Sequence, residues 1–189
     1  MTTPRIETAR LVMREWRDAD RQPYAALNAD PEVMRHFPAT LTTQQSGEMI
    51  DRMSASWAER GFGLWAVERA DTAGFVGFVG LAAPVWQAAF TPCVEVGWRL
   101  AREHWGNGFA PEAATAALAW GFANVELPHD EIVSFTTVAN LNSRRVMEKI
   151  GMVRDVERDF DHPLLPGWSG RHHVLYRIDR RQFAEHVAR

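Results

Sequence analysis

A mixed α/β domain is the fold the sequence predicts, and two observations carry that expectation. Short runs with apolar residues at alternating positions, the mark of half-buried strands, are interspersed with longer runs whose apolar residues recur at helical spacing. The 189 residues, 46% hydrophobic and 24% charged, suffice for one substantial core and fall short of what two usually need, so a single domain over 1–189 is expected. A formal net charge of −3 gives no footprint for a nucleic-acid partner. The opening MTTPRIETAR has no apolar signal segment, the chain has no 18-residue apolar span, and the sole cysteine, Cys93, cannot form an internal disulfide. A cytoplasmic location with no membrane partner is the resulting expectation.

The elements follow in order. ETARLVMREW, Glu7 to Trp16, sets Leu11, Val12 and Met13 between charges, as suits a first strand at or near a sheet edge. Asp18 can cap a helix through Leu27, and Asp30-Pro31 opens a short one over PEVMRHF. Thr42 or Thr43 caps a longer helix, with Met49, Ile50, Met53 and Trp57 at helical spacing and Gly61 at its end. Residues 62–67 and 75–81 read as a hairpin about a turn at 71–74. Gly74, Gly77 and Gly80 recur every third position, a spacing that cannot line one strand face. Close packing, not nucleotide binding, is expected of them.

After a loop at 84–92, the stretch 93–123 is the most informative. Val94, Val96, Trp98 and Leu100 alternate as in a strand, with Gly97 inside the run as a sign of a bulge or a close backbone approach. The loop Trp105-Gly106-Asn107-Gly108-Phe109-Ala110 follows, and Pro111-Glu112 opens a helix that runs to about Asn124. A glycine-bearing loop that feeds a helix N-terminus is an anion site, because unpaired amides and the positive end of the helix dipole converge there. A phosphate group is the expected guest, although neither the P-loop pattern nor G-x-G-x-x-G is present. Further on, 131–138 (EIVSFTTV) reads as a strand, and Asn140 or Asn142 caps a helix with Val146, Met147 and Ile150 on one face, closed by Gly151. Strands near 152–160 and 172–178 bracket the turn-rich DHPLLPGWSG, and Asp179 caps a last helix.

HWGNGFAPE resembles the acetyl-CoA signature of the GCN5-related N-acetyltransferase (GNAT) superfamily, Gln/Arg-x-x-Gly-x-Gly/Ala, with Gly108 and Ala110 in its last two places. Trp105 departs from the usual Gln or Arg, and in doing so resembles the ribosomal-protein-alanine acetyltransferase (RimJ/RimL-like) branch, which often reads Trp-Gly-x-Gly-Tyr-Ala-x-Glu. NLNSRRVMEKIGM, from Asn140, resembles the superfamily's Asn-x-x-Ser…Glu-Lys-x-Gly-Phe/Met segment. ETARLVMR and HHVLYRI also resemble that branch, so the likeness runs from residue 7 to residue 178.

The resemblance implies a central, mostly antiparallel mixed sheet, splayed between the strands near 93–100 and 131–138, with helices on both faces. It implies transfer of an acetyl group from acetyl-CoA to a primary amine by direct attack, with no metal. Trp105 and the amides of Gly106, Asn107, Gly108, Phe109 and Ala110 would hold the pyrophosphate. Backbone at Trp98, Arg99 and Leu100 would pair with pantetheine like an added strand, with Asn140 and Ser143 opposite. Glu95 would be the base, acting through water, with a solvent-facing strand glutamate as the plain alternative. Ser143 would protonate the departing thiolate, because the helix after Asn140 lacks a tyrosine and Tyr24 and Tyr176 lie far off in sequence. Its alternative is a first-turn serine bonded to its own helix backbone, and that of Asn140 is a mere cap. Arg144 and Arg145 would meet cofactor phosphates or simply face solvent. The expected partner is an amine acceptor, a protein N-terminus or a small molecule, with a homodimer left open. Two rival functions stand beside this one: a non-catalytic acyl-CoA-binding module on the same scaffold, and a protein-interaction domain without CoA binding. Of the remaining reactive residues, Cys93 is expected to be a buried, inert thiol. His172 and His173 are expected on opposite strand faces, unable to share a metal.

Overall fold

The computed structural model describes residues 3–188. Among these, one sheet contains β1 (Ile6–Glu7), β2 (Leu11–Arg14), β3 (Leu64–Arg69), β4 (Phe75–Ala82), β5 (Glu95–Leu100), β6 (Glu131–Thr137), β7 (Val153–Arg154), β8 (Phe160–Asp161) and β9 (His172–Asp179). The order across it is β1-β2-β3-β4-β5-β6-β9-β7, with β8 also on β9. Every pairing is antiparallel except β5 with β6. The helices are α1 (Arg21–Ala29), α2 (Pro31–Met34), α3 (Thr43–Arg60), α4 (Phe109–Asn124), α5 (Leu141–Lys149) and α6 (Arg180–Val187).

Alternation along the strands sends side chains into two cores. Val96 and Leu100 of β5 join Ala113, Ala117 and Leu118 of α4 and Met147 of α5 in the larger one. On the other face Phe78 packs with Tyr24 and Leu27 of α1, Val33 of α2, and Ile50 and Met53 of α3. Helices therefore cover both faces, as expected. No helix among the described residues is long and apolar enough to cross a membrane.

The feature that positions the site is the β5–β6 junction. β5 is held by β4 at six residues and β6 by β9 at seven, yet the two meet only at Glu95↔Val133, with Val133 N–H donating to the Val94 carbonyl at 2.9 Å. Beyond that point each follows its outer neighbour and they part. The backbone edge of β5 from Val96 onward is thus left without a neighbouring strand.

Helix starts mostly follow the expected capping chemistry. Thr42 caps α3 in a reciprocal box with Gln45, Asp179 caps α6 likewise with Gln182, and Asn140 accepts the Ser143 N–H. Asp18 is a correction: its side chain caps nothing, and a 3₁₀ turn over Asp18–Asp20 precedes α1. Asp20 organises that turn instead, accepting the Arg17 N–H at 2.8 Å and both ends of the buried Arg14 guanidinium at 2.7 and 2.8 Å. The strand expected over 152–160 is also corrected, because it is broken into β7 and β8 by a 3₁₀ turn at Val156–Arg158. Asp159 causes the interruption by placing a carboxylate oxygen 3.1 Å from the Leu175 N–H, where a strand carbonyl would otherwise accept.

Gly77 and Gly80 serve close approach, since a Cβ on either would collide with backbone, at the Arg99 carbonyl and the Gly63 carbonyl respectively. Gly97 does neither of the things expected of it. It pairs in register with Gly80, the sheet's bulge lies at Val67/Glu68, and a Cβ at 97 would meet only Glu95 Oε1, at 3.8 Å.

Candidate functional site

A cavity of about 720 Å³ opens where β5 and β6 part. Its first arm is bounded by the loop at 105–110. Gly108 stands just before α4 with φ of 77°, a left-handed conformation natural to glycine. The first bond of the helix is Glu112 N–H to the Gly108 carbonyl, 3.2 Å. The N–H groups of Gly108, Phe109 and Ala110 therefore precede any carbonyl that the helix could offer them, and Pro111 has no N–H to leave unpaired. Trp105 fastens the loop to the end of β5, its indole N–H donating to the Leu100 carbonyl at 2.9 Å.

Sequence reasoning missed Arg10, which ties this loop to the far edge of the sheet. Its Nη1 donates to the Asn107 carbonyl at 2.9 Å and its Nε to Glu112 Oε2 at 2.7 Å. Glu112 Oε1 also accepts Thr8 Oγ1 at 2.6 Å and the Arg10 N–H at 2.9 Å. Only the phrase ETARLVMR hinted at this, through its likeness. Although burial alone would raise it, the Glu112 carboxyl lies below the usual carboxylate range because these hydrogen bonds favour the ionised form. Glu112→Ala is expected to cost about 2 kcal/mol at pH 7, roughly 4–8 °C in Tm, for the lost charge-assisted bonds. A carboxyl held low stabilises above its unfolded pKa and loses that contribution as pH falls through its folded one. Thermal unfolding should accordingly show the wild-type advantage shrinking toward pH 3, and an equal gap at all pH values would reject this account of the contact.

The opposite wall of the arm is the start of α5. Asn140 donates from Nδ2 to Thr136 Oγ1 at 2.9 Å and to Ser143 Oγ at 3.0 Å while its Oδ1 caps Ser143 N–H at 3.2 Å. Ser143 Oγ is thus an acceptor here, which leaves its proton for another partner. Both residues line the cavity, as does Arg145. Arg144 is turned away, toward Tyr176 Oη at 3.4 Å and the Val138 carbonyl at 3.1 Å. Tyr176, remote in sequence, is close to α5 in space, but its hydroxyl donates to Glu148 at 3.0 Å beneath the helix. Tyr24 is fully buried against Met49.

The second arm lies across β5. Trp98 and Leu100 face the loop side; Glu95, Gly97 and Arg99 alternate to the other. Burial pushes the Glu95 carboxyl up to about 8. The wall of this arm includes Phe37 beyond α2, Phe78, Phe135, and His162 and Trp168 from the 162–171 loop. Burial holds His162 and His173 below the ordinary histidine value, so both rings are neutral at pH 7. Nothing in the sequence marked Phe37, His162 or Trp168, whose placement depends on loops. Arg99, expected to contribute backbone to the first arm, sends its side chain into the second, where Nη1 donates to Asn28 Oδ1 at 2.6 Å. Cys93 is buried, with its thiol pushed up to about 12 by burial first and by Glu95 and Glu131 next. His172 bonds Asp161 in the open while His173 is buried on the opposite face of β9. Among the described residues no group of three potential ligands could hold a metal.

Free amides at a helix start, an unpaired strand edge and a cavity between them fit a long, phosphate-bearing ligand in extended form. Comparison with known proteins agrees with the geometry. Residues 10–153 match the family described as the acetyltransferase (GNAT) domain. The uncharacterized N-acetyltransferase YoaA of Bacillus subtilis is 30% identical over 154 residues, 80% of this chain and 84% of that protein. An acetyltransferase crystal structure from Agrobacterium tumefaciens superposes with a TM-score of 0.76 at 26% identity, covering 95% of this chain and 96% of its own. A spermidine N-acetyltransferase from Vibrio cholerae, solved with CoA and spermine, shares the fold with a TM-score of 0.71 at 18% identity, over 95% and 99% of the two chains. A match over residues 10–153 and the YoaA identity suffice together: this chain belongs to the GNAT family of acetyltransferases.

Proposed function

We propose that this acetyltransferase, acting as one cytoplasmic domain, moves an acetyl group from acetyl-CoA to a primary amine by direct attack, with no covalent enzyme intermediate. The observation that carries the reading is the parting of β5 and β6 immediately beside the loop amides. When bound, acetyl-CoA supplies an activated carbonyl and a thiolate leaving group. The amides of residues 106–110 hold its phosphates, with Trp105 fixing the loop, and the free edge at Trp98 and Leu100 aligns the extended arm, the Arg99 backbone being paired with Phe78 of β4. Holding both reactants in one cavity contributes much of the acceleration. Glu95 accepts the amine proton, through water, in the opposite arm. The RimJ/RimL-like motifs favour a protein N-terminus or a small amine; an α-amine with pKa near 7.8 needs little help from a base at pH 7, whereas a lysine near 10.4 needs much more.

Asn140 positions Ser143, and the Ser143 hydroxyl donates to the departing thiolate. A cysteine-like thiol has a pKa of about 8.5, so the leaving group needs modest assistance, near the lower end of the usual range for a general acid. Ser143→Ala should lower kcat at least about tenfold and leave acetyl-CoA affinity within about threefold, the pattern of an interaction made in the transition state. Reduced affinity with unchanged single-turnover chemistry would instead make Ser143 a residue that positions the cofactor.

Thiol release from acetyl-CoA, screened over peptides, polyamines and aminoglycosides, tests the reading. Acetyl-CoA binding without release on any amine would favour the non-catalytic module, and no binding at all would favour an interaction domain.

A further inference from the structure

Among the described residues Arg99 is a buried cation without a counter-charge. It is 9% exposed, lines the second arm, and carries its guanidinium carbon 4.2 Å from the Phe37 ring centroid and 5.5 Å from that of Phe78. Its charge is permanent, yet Nη1 meets only the neutral Asn28 amide and Nε has no hydrogen-bond partner among the described residues. Arg14 shows the contrast: at 5% exposed it donates to Asp20 and Glu68 at 2.6–2.8 Å. A guanidinium facing two carboxylates is compensated, whereas one facing an amide and two rings is not.

The surroundings of Arg99 are also oriented. Asn28 is fully buried and donates from Nδ2 to Ser46 Oγ at 3.1 Å, and Ser46 donates to the Thr42 carbonyl at 2.9 Å. That chain fixes the Asn28 oxygen on Nη1. The Nε–Nη2 edge remains, and its two parallel N–H groups match a carboxylate side-on.

Building on the acetyl-transfer reading, we propose that the acceptor is a small amine that also carries a carboxylate, and that Arg99 binds this carboxylate in the second arm. Glu95 and Arg99 lie on one face of β5, four residues or about 13 Å apart along the strand. Gly97 between them leaves open floor, where an added Cβ would meet only Glu95 Oε1. Glu95 Oε1 reaches toward Gly97, and the water that the acetyl-transfer reading places between Glu95 and the amine spans part of the remaining gap, so an acceptor of a few bonds places its amine toward Glu95 and its carboxylate on Arg99. Phe37, exposed beyond α2, lies over the guanidinium and shifts to admit the anion. A polyamine brought into this arm meets the permanent positive charge of Arg99, which disfavours it relative to an acceptor that carries a carboxylate.

The test is initial-rate thiol release at saturating acetyl-CoA with matched acceptors: 4-aminobutyrate against butylamine, and phenylalanine against phenylalaninamide. The carboxylate member of at least one pair should have a kcat/KM tenfold or more higher, mostly through KM. Arg99→Met, which keeps the packing of the stem, should bring that ratio within about threefold. Arg99→Lys, which keeps the charge and loses the fork, should fall between. Equal efficiency within both wild-type pairs, a preference for spermidine over every carboxylate, or an unchanged ratio in both variants would overturn the proposal. Binding of the same carboxylates to the CoA-loaded protein, read by tryptophan fluorescence, separates the two claims. Binding that Arg99→Met abolishes, without turnover, supports anion recognition and counts against acetyl transfer; turnover of carboxylate-free amines with no such binding does the reverse.

Discussion

Glu95→Gln is expected to lower kcat by about 10²–10³ and to flatten the pH–rate profile, because it removes the strand carboxyl poised in the second arm. The sign follows from burial. A carboxyl raised to about 8 is roughly one-tenth ionised at pH 7, so a reaction needing its base form speeds up tenfold per pH unit and levels above pH 8. The wild-type profile should show that acidic limb, and the glutamine variant should lack it. An acceptor amine with a pKa below about 6 keeps its own titration out of the window. A variant that retains the limb at the same midpoint clears Glu95 of the role.

Gly108→Val should weaken acetyl-CoA binding by two to four orders of magnitude on calorimetry, with the variant still folded. No protein atom blocks the change, since the nearest to an added Cβ is Arg10 Nη2 at 3.5 Å. The obstacle is φ of 77°, which a β-branched residue resists. Relaxing that strain turns the amides of 108–110 away, and two charge-assisted bonds at roughly 1.5–3 kcal/mol each account for the size. Unchanged affinity would remove the loop from the site.

What was legible in the sequence was local. Thr42 with Gln45 and Asn140 with Ser143 each advertise a helix start through groups three residues apart, while Pro111 marked the start of α4 only approximately, since the helix begins at Phe109 behind the left-handed Gly108. The parting of β5 and β6 was implied by likeness, since no propensity separates two β-rich segments that pair once and then diverge. Asp18 misled because Asp20, two residues on, has a buried arginine to bind that only the folded sheet supplies. The break at Val156–Arg158 was hidden for a similar reason: Asp159 competes for β9 from sixteen residues away. The face of Arg99 could have been read from the alternation Glu95, Gly97, Arg99 against Val96, Trp98, Leu100. What it meets there, Asn28 and Phe37, depends on how the helices dock.

Backbone amide hydrogen exchange with and without acetyl-CoA tests most directly the claim that the cofactor lies between the parted strands on the loop. Protection should rise at residues 96–100 and 106–110 and at the start of α5, and stay unchanged at the β1–β2 edge and along α6. Exchange in those three segments that acetyl-CoA leaves untouched, or protection confined to another part of the sheet, would contradict it.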